Sequence, residues 1–244
     1  MNIMFLMGSS HIAIDGNDYP LYLTEINEKL ILELQIEYCK ELKPSNFLFC
    51  VKKQDIKQFK VDSVIRQIVP DAKIIKITGQ TQGAICTALL GWEYIDNNEE
   101  LVLLAVDDFI DDSWKKVLNF FHKENADAGI VSFKSVHPRY SFAKTNAEGQ
   151  VVEVAEKKPI SKNALVSFYY FKNGSDFVET AQDVIRKDNP INNAFYISQT
   201  LNEMILKQKK IAMFRINNNS FHPLKTEQQY IQYVRELDEK RYYK

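Results

Sequence analysis

The feature that most constrains the fold is a repeated alternation of short apolar runs and amphipathic segments in the first half of the chain. Four runs have the length and composition of buried strands: residues 2–7, 47–51, 73–77 and 101–106. Segments with helical periodicity lie between them, the first over about 28–42. Strands that alternate with helices are normally parallel, so this pattern predicts a parallel sheet covered by helices.

Beyond residue 128 the pattern changes to strands separated by turn signals. Four strands are predicted first, followed by helices over 175–187 and 194–208, a strand over 211–216 and a polar helix from 226 to 244. No linker rich in proline, glycine or serine interrupts the chain. We therefore predict one α/β, Rossmann-like domain over 1–244, with a mixed, mainly parallel sheet flanked by helices and two halves, 1–127 and 128–244.

Composition excludes several classes of protein. Lys plus Arg is 31 against 32 for Asp plus Glu, so a net charge of −1 gives no sign of nucleic-acid binding. The longest apolar run near the start, residues 3–7, is too short for a membrane span or a signal peptide. Three well-spaced cysteines, Cys39, Cys50 and Cys86, indicate reduced thiols. We expect a cytoplasmic protein.

An acidic pair follows the fourth apolar run, in the sequence LVLLAVDDFIDDSW. Asp107 and Asp108 stand where open α/β sheets bind ligands, and Mg²⁺ prefers one or two carboxylates together with phosphate oxygens. The alternative is a solvated acidic turn, because Asp111 and Asp112 add two more charges and Ser113 is a good N-cap for the next helix. The residues alone leave both interpretations open.

Two loops have features of a nucleotide site. A strand that ends at Gly8 before a polar loop is a general arrangement for holding phosphate, although an ordinary turn has the same features. The loop GQTQGA, residues 79–84, follows a strand and opens a helix of small residues. Its two glutamines are suited to the edge of a nucleobase, or they are solvated at a helix start.

The segment EVAEKKP, residues 153–159, places Glu156, Lys157 and Lys158 at the end of a predicted strand. A lysine there could neutralise a substrate phosphate, whereas surface charge on an edge strand is the alternative. Other chemistries lack support, because the four histidines have no zinc-ligand spacing and neither a G-x-S-x-G motif nor a P-loop is present.

Taken together and in order, these segments resemble the sugar-phosphate nucleotidyltransferases, the pyrophosphorylase-like enzymes that make nucleotide-activated sugars. The resemblance extends over nearly the whole chain. It rests on NIMFLMG at 2–8, DYPLYLTEINEKLIL at 18–32, GQTQGA at 79–84, LLAVDD at 103–108, EVAEKKP at 153–159 and HPLKTEQQY at 222–230.

The resemblance implies a glycosyltransferase-A-like fold, Mg²⁺ as cofactor, and a nucleoside triphosphate and a sugar phosphate or similar small phosphate as partners. It implies a role in capsule or surface-polysaccharide precursor synthesis. The residues it implies are Asp108 and Lys157 in catalysis, Gly8, Ser9, His11, Gln80, Gln82 and Gly83 for the nucleotide, Glu156 and Lys158 for the substrate, and Asp108, Asp107 and His222 for the metal.

The chain also departs from the family pattern. The family loop Gly-x-Gly-x-Arg is Gly8-Ser9-Ser10-His11 here, and Leu21 stands at the lysine of a Pro-Lys-Pro element. Missing phosphate-neutralising side chains can each cost about 10²–10³ in rate. Three hypotheses therefore stand: an active nucleotidyltransferase, a binding protein that has lost turnover, and a metal-dependent glycosyltransferase of related fold.

Overall fold

The structure, a computed structural model, describes residues 1–8, 12–14 and 17–242. The predicted nucleotide ligands Ser9 and His11 lie outside the described residues. The strands are β1 (Asn2–Met7), β2 (Ile12–Ile14), β3 (Asn17–Tyr19), β4 (Glu25–Ile26), β5 (Lys29–Leu30), β6 (Asn46–Lys52), β7 (Lys73–Ile77), β8 (Leu101–Ala105), β9 (Asp108–Ile110), β10 (Ala128–Lys134), β11 (Ser141–Thr145), β12 (Val151–Glu156), β13 (Asn163–Phe171), β14 (Ile211–Arg215) and β15 (Phe221–Pro223). The helices are α1 (Ile31–Lys40), α2 (Lys53–Phe59), α3 (Val61–Ile68), α4 (Ala84–Leu89), α5 (Trp92–Ile95), α6 (Trp114–Lys123), α7 (Gly174–Arg186), α8 (Ile197–Leu206) and α9 (Glu227–Tyr242).

A mixed sheet runs through both halves of the chain. Its centre is the parallel set β8-β1-β6-β7, formed by the four predicted apolar runs. Antiparallel β13 joins it beside β8 and pairs with β11 and β10, while β12 extends from β11 and β14 lies parallel to β10. The predicted α/β architecture of a mixed sheet flanked by helices is confirmed.

Both faces of the sheet are buried, which explains why its central strands are continuously apolar. Side chains alternate along β1, so Ile3 and Phe5 pack in one layer with α1, α3 and α6, whereas Met4 packs in the other with α4, α7 and α8. Phe5 stacks on Phe49 of β6 at 5.0 Å between ring centroids. The two layers hold the strand ends in fixed register.

Some predicted loops and helices differ in the structure. Residues 108–110 form β9 and pair with β15, because Phe109 and Ile110 are buried instead of continuing an acidic turn. The predicted helix over 84–95 divides into α4 and α5 at Gly91, where a Cβ would lie 2.5 Å from Ile75 and 2.9 Å from Met4. No helix in the described part of the chain is long and apolar enough to cross a membrane.

The cysteines give a test of the core. Cys39 and Cys50 are fully buried, and burial raises the pKa of Cys39 and raises that of Cys50 to about 12. Cys86 is half-buried, and burial raises its thiol pKa as well. With a thiol reagent at pH 8, we expect Cys86 in the folded protein to react about 10²-fold or more faster than Cys39 and Cys50. The two buried thiols should react at a comparable rate only after unfolding. Equal rates in the folded protein would contradict this packing.

Candidate active site

The carboxyl ends of β1, β7 and β8 meet at one edge of the sheet, as parallel neighbours require. Gly8 follows β1, and a Cβ there would lie 3.3 Å from Ile77 at the end of β7 and 3.8 Å from Thr87 of α4. Asp107 and Asp108 follow β8. Three of the predicted site segments therefore converge at this edge.

The acidic pair is buried and paired with a lysine. The side chains of Asp107 and Asp108 are 15% and 4% exposed, which rules out the solvated-turn interpretation for these two residues. Lys225 Nζ lies 2.5 Å from Asp107 Oδ1 and 2.9 Å from Asp108 Oδ1. We call these three residues the Asp–Lys cluster. By contrast, Asp112 pairs with Lys116 on the helical surface.

Backbone interactions fix the position of the Asp–Lys cluster. Asp108 Oδ2 accepts a 2.9 Å hydrogen bond from Ser167 N of β13, and the buried Gln35 amide donates to Asp108 O at 2.7 Å. Pro223 pairs with Asp108 in the β9–β15 ribbon, and Leu224 N then donates to Asp107 O at 2.7 Å. The next residue in the chain is Lys225, so the ribbon positions its ammonium beside the two carboxylates.

Charge and burial oppose each other in the Asp–Lys cluster. Burial raises the pKa of the Asp107 carboxyl, while the Lys225 charge acts against this rise. Burial alone would lower the pKa of Lys225, but the charges of Asp108 and Asp107 outweigh burial and raise it. Lys225 is therefore a fixed positive charge at neutral pH.

The structure separates His222 from the acidic pair. His222 pairs with Phe109 in the ribbon and Pro223 with Asp108, so His222 and Asp108 project from opposite faces. Its ring packs 4.6 Å from Tyr233, and its nitrogens lie 3.0 Å from Asp111 and 3.4 Å from a glutamate of α9. The predicted set of Asp107, Asp108 and His222 is thus not brought together, because strand alternation turns the imidazole away.

The Asp–Lys cluster does not fit a divalent cation held by protein ligands. Among the described residues, no three His, Cys, Asp or Glu side chains come together in a group able to hold a metal. Mg²⁺ bound to both carboxylates would need Mg–O distances of about 2.0–2.1 Å. Lys225 Nζ already lies 2.5 Å from Asp107 Oδ1 and 2.9 Å from Asp108 Oδ1, and it would repel a second cation bound to the same two oxygens strongly.

The GQTQGA loop is anchored to the segment that precedes α8. Gln82 O accepts from Phe195 N at 2.9 Å, and Phe195 O accepts from Ile85 N at 3.2 Å. Gly83 has φ +104° and lies against this backbone, with a Cβ position 2.4 Å from Phe195 O. The side chains of Gln80 and Gln82 are exposed. The loop is thus held rigidly while its amides face outward, as contact with a base would require.

The segment EVAEKKP, residues 153–159, which we call the substrate segment, includes the end of β12. Glu156 Oε2 accepts hydrogen bonds from Ser141 and, at 2.7 Å, from Ser198, so this carboxylate positions strands and helix. Lys157 is exposed and donates to Tyr196 Oη at 2.7 Å, and Lys158 is exposed beside it. A cavity of about 410 Å³ opens here, lined by Glu156, Lys158, Lys187, Asn189, Gln199 and Asn202.

Partly buried Tyr169 of β13 is affected by the charges of both regions. Burial raises the pKa of Tyr169, and the charges of Glu156 and Asp108 raise it further. Both carboxylates therefore act on one phenol. Strand pairing brings the two regions together, since Glu156 of β12 pairs with Ser141 of β11. β11 in turn pairs with β13, whose Ser167 N donates to Asp108. The larger cavity, about 830 Å³, lies by His222 and α9, and neither Asp107 nor Asp108 lines it.

Sequence reasoning missed Lys225, Ser167 and Tyr196. Ser167 contributes only a backbone N–H, which no side-chain pattern reveals. Lys225 had one available signal: it is the basic residue within HPLKTEQQY, the segment already expected to reach the acidic pair. Tyr196 had a weaker signal, because it carries the hydroxyl of the Phe195–Tyr196 pair before α8.

Solved structures share this architecture. A nucleoside-diphosphate-sugar pyrophosphorylase from Vibrio cholerae RC9 aligns with TM-score 0.78 and 20% identity over 96% of this chain and 100% of that chain. A UDP-glucose pyrophosphorylase complexed with UDP-glucose aligns with TM-score 0.76 and 16% identity over 98% of both chains. HddC from Yersinia pseudotuberculosis aligns with TM-score 0.66 and 15% identity over 97% of this chain and 99% of that chain.

The fold is therefore that of the nucleotide-sugar pyrophosphorylases and sugar-phosphate nucleotidyltransferases, as the motifs predicted. No protein-family model and no curated protein matches the sequence.

Proposed function

We propose that the chain is a nucleotidyltransferase that joins a nucleotide to a phosphorylated sugar or similar small phosphate, with release of pyrophosphate. The observation that carries this proposal is the sheet register, which directs the GQTQGA loop, the Asp–Lys cluster and the substrate segment to the same end of the sheet. The fold neighbours add support, since two of them are pyrophosphorylases and one of these two is complexed with UDP-glucose.

In the proposed reaction, a phosphate oxygen of the sugar phosphate attacks the α-phosphorus of the nucleoside triphosphate. The new P–O bond forms as the bond to the β-phosphate oxygen breaks, and pyrophosphate leaves with that electron pair. Gly8, Gln80, Gln82 and Gly83 bind the nucleotide, and Lys157 and Lys158 bind the sugar phosphate. Glu156 holds β12 and α8 in position through its two serine partners.

Asp107 and Asp108 remain proposed as the acidic centre of the site, with their charge balanced by Lys225. We assign no step to a bound metal, because the Lys225 ammonium lies beside both carboxylates, where a cation bound to them would have to lie. We place the reaction in the cytoplasm, in precursor supply for capsule or surface polysaccharide, where nucleoside triphosphates and sugar phosphates are both present.

The retained fold also suits a second candidate, a binding protein without turnover. The observation that favours it is the replacement of the family's phosphate-binding Arg and Lys, with Leu21 buried at the lysine position. The metal-dependent glycosyltransferase hypothesis has weaker support. Asp111, the next carboxylate after Asp108, contacts His222 instead and stands apart from Asp108.

The decisive experiment combines thermal shift with pyrophosphate release, using CTP, UTP, GTP and dTTP and a panel of sugar 1-phosphates. A triphosphate that binds the native state raises Tm by mass action. We expect one triphosphate to raise Tm and to release pyrophosphate only with a sugar phosphate. A shift without release would favour the binding protein, and no shift with any triphosphate would refute the nucleotidyltransferase.

The exposed Lys157 offers a sharper test of the substrate segment. We expect Lys157→Ala to raise KM for the sugar phosphate about tenfold, since losing one charge contact costs about 1.4 kcal/mol, and to leave KM for the triphosphate nearly unchanged. The matched control is Lys144→Ala, which removes an exposed lysine 3.9 Å from Glu153 in the same hairpin. Steady-state kinetics measure both constants, and equal effects of the two variants would remove Lys157 from the site.

A further inference from the structure

We propose that the Lys225 ammonium is a built-in cation that fills the position between Asp107 and Asp108 where the resemblance implies Mg²⁺. The inference about the cation position stands on the Asp–Lys cluster alone. Its consequence for phosphate binding rests on the proposed function. The chain would then need no protein-bound divalent metal at this site.

Distance and charge carry the first step. Lys225 Nζ donates to Asp107 Oδ1 at 2.5 Å and lies 2.9 Å from Asp108 Oδ1 as an ion pair without a hydrogen bond, so one positive charge serves both carboxylates. The carboxylates are nearly inaccessible, at 15% and 4% exposed, and buried charges of this kind require a partner. In the described chain, Lys225 is the cation that provides it.

Topology carries the second step. Pro223, which offers no carboxylate, stands opposite Asp108 in the ribbon, and His222 projects from the other face. The hydrogen bond from Leu224 N to Asp107 O then sets the position of the following residue. The segment after β15 thus brings a positive side chain to the acidic pair.

The third step concerns the N–H donors of the ammonium. An ammonium has three N–H donors, and its described contacts to Asp107 and Asp108 use at most two of them. The Lys225 side chain is 34% exposed, so it reaches the open edge of the site. The remaining donor is available to a phosphate oxygen of a bound nucleotide.

The test is Mn²⁺ binding to the intact protein and to Lys225→Ala, measured by electron paramagnetic resonance of free Mn²⁺ and by thermal shift with MnCl₂. We expect the wild type to show no Mn²⁺ binding that depends on Asp108. We expect Lys225→Ala to gain one Mn²⁺ per chain, at least about tenfold tighter than any wild-type site, with a rise in Tm. The double variant Lys225→Ala/Asp108→Asn should lose that gain.

Lys225→Gln provides a second variant of similar length if the alanine variant does not fold. Lys209→Ala is the matched control, because Lys209 pairs with Asp176 on α7, away from the Asp–Lys cluster. Wild-type Mn²⁺ binding that Asp108→Asn abolishes would overturn the proposal. If a folded Lys225→Ala or Lys225→Gln protein gains no Mn²⁺ site, the proposal is also overturned, because Asp107 and Asp108 would then not form a cation site.

Nucleotide binding distinguishes this inference from the proposed function. If the wild type binds a triphosphate equally well in EDTA, and Lys225→Ala binds it only with Mn²⁺, the built-in cation acts on the nucleotide. If no triphosphate binds under any condition, the proposed function fails, while the Mn²⁺ titrations still decide the nature of the cation position.

Discussion

Replacing Asp108 with alanine is expected to lower the free energy of unfolding by about 3 kcal/mol. The change removes a carboxylate that is 4% exposed, leaves Ser167 N without its acceptor, and deprives Lys225 of one of two counter-charges. An unsatisfied buried donor alone costs about 1–3 kcal/mol. We set the total at the low end for a broken buried pair, because a third of the lysine side chain remains exposed. Urea unfolding followed by circular dichroism measures the change.

The same substitution is expected to slow the proposed nucleotidyl transfer about 10²-fold or more, because Lys225, the proposed phosphate-binding donor, loses one of the two carboxylates that hold it. Asp108→Asn separates the two roles, since its amide oxygen can still accept from Ser167 N while the negative charge is lost. The control is Asp112→Ala, which breaks an i,i+4 surface pair with Lys116 and should cost about 0.5 kcal/mol or less. Similar losses for the two alanine variants would show that Asp108 is not the buried centre described here.

Replacing Gly83 with alanine is expected to have the second large effect, a loss of about 3 kcal/mol or a displaced loop. Gly83 has φ +104° and ψ −179°, a region that is essentially restricted to glycine. A Cβ would also lie 2.4 Å from Phe195 O and 2.6 Å from Phe195 N, both backbone atoms. The GQTQGA loop must then give up its hydrogen bonds to Phe195, and affinity for the nucleotide should fall with it.

Gly79→Ala is the matched control in the same loop. A Cβ at Gly79 meets no atom within 4 Å, so we expect a change within about 0.5 kcal/mol. Urea midpoints and nucleotide thermal shifts of both variants test the comparison. A Gly83→Ala protein with wild-type stability and nucleotide binding would mean that the loop is not anchored through Phe195.

Much of the fold was predictable because local patterns and burial agree. The strand at residues 2–7 was predicted at its observed bounds, and Ser113 caps α6 by accepting from Lys115 N, as its position before an amphipathic helix indicated. The short strand β9 was not predicted. Its pairing partner lies more than a hundred residues further along the chain, and a three-residue strand has no periodicity to detect.

The site was predictable only where side-chain type and strand position coincide. Asp107 and Asp108 met that condition, because a buried strand leads directly into them. His222 did not, since the face on which it projects depends on the register of β15 with β9. Lys225 reaches the acidic pair through that same register, so the sequence could indicate the segment HPLKTEQQY but not which of its residues contacts the aspartates.

The β9–β15 ribbon also has a consequence for the order of folding. Asp107 and its partner Lys225 are 118 positions apart, so closing this pair requires one of the longest loops in the chain. A ribosome would release the two aspartates well before it makes the lysine. Until then, the sheet edge holds two adjacent carboxylates without a counter-charge. The parallel centre of the sheet, whose four strands all precede residue 106, can therefore assemble early, but the acidic centre matures only after Lys225 has been synthesised.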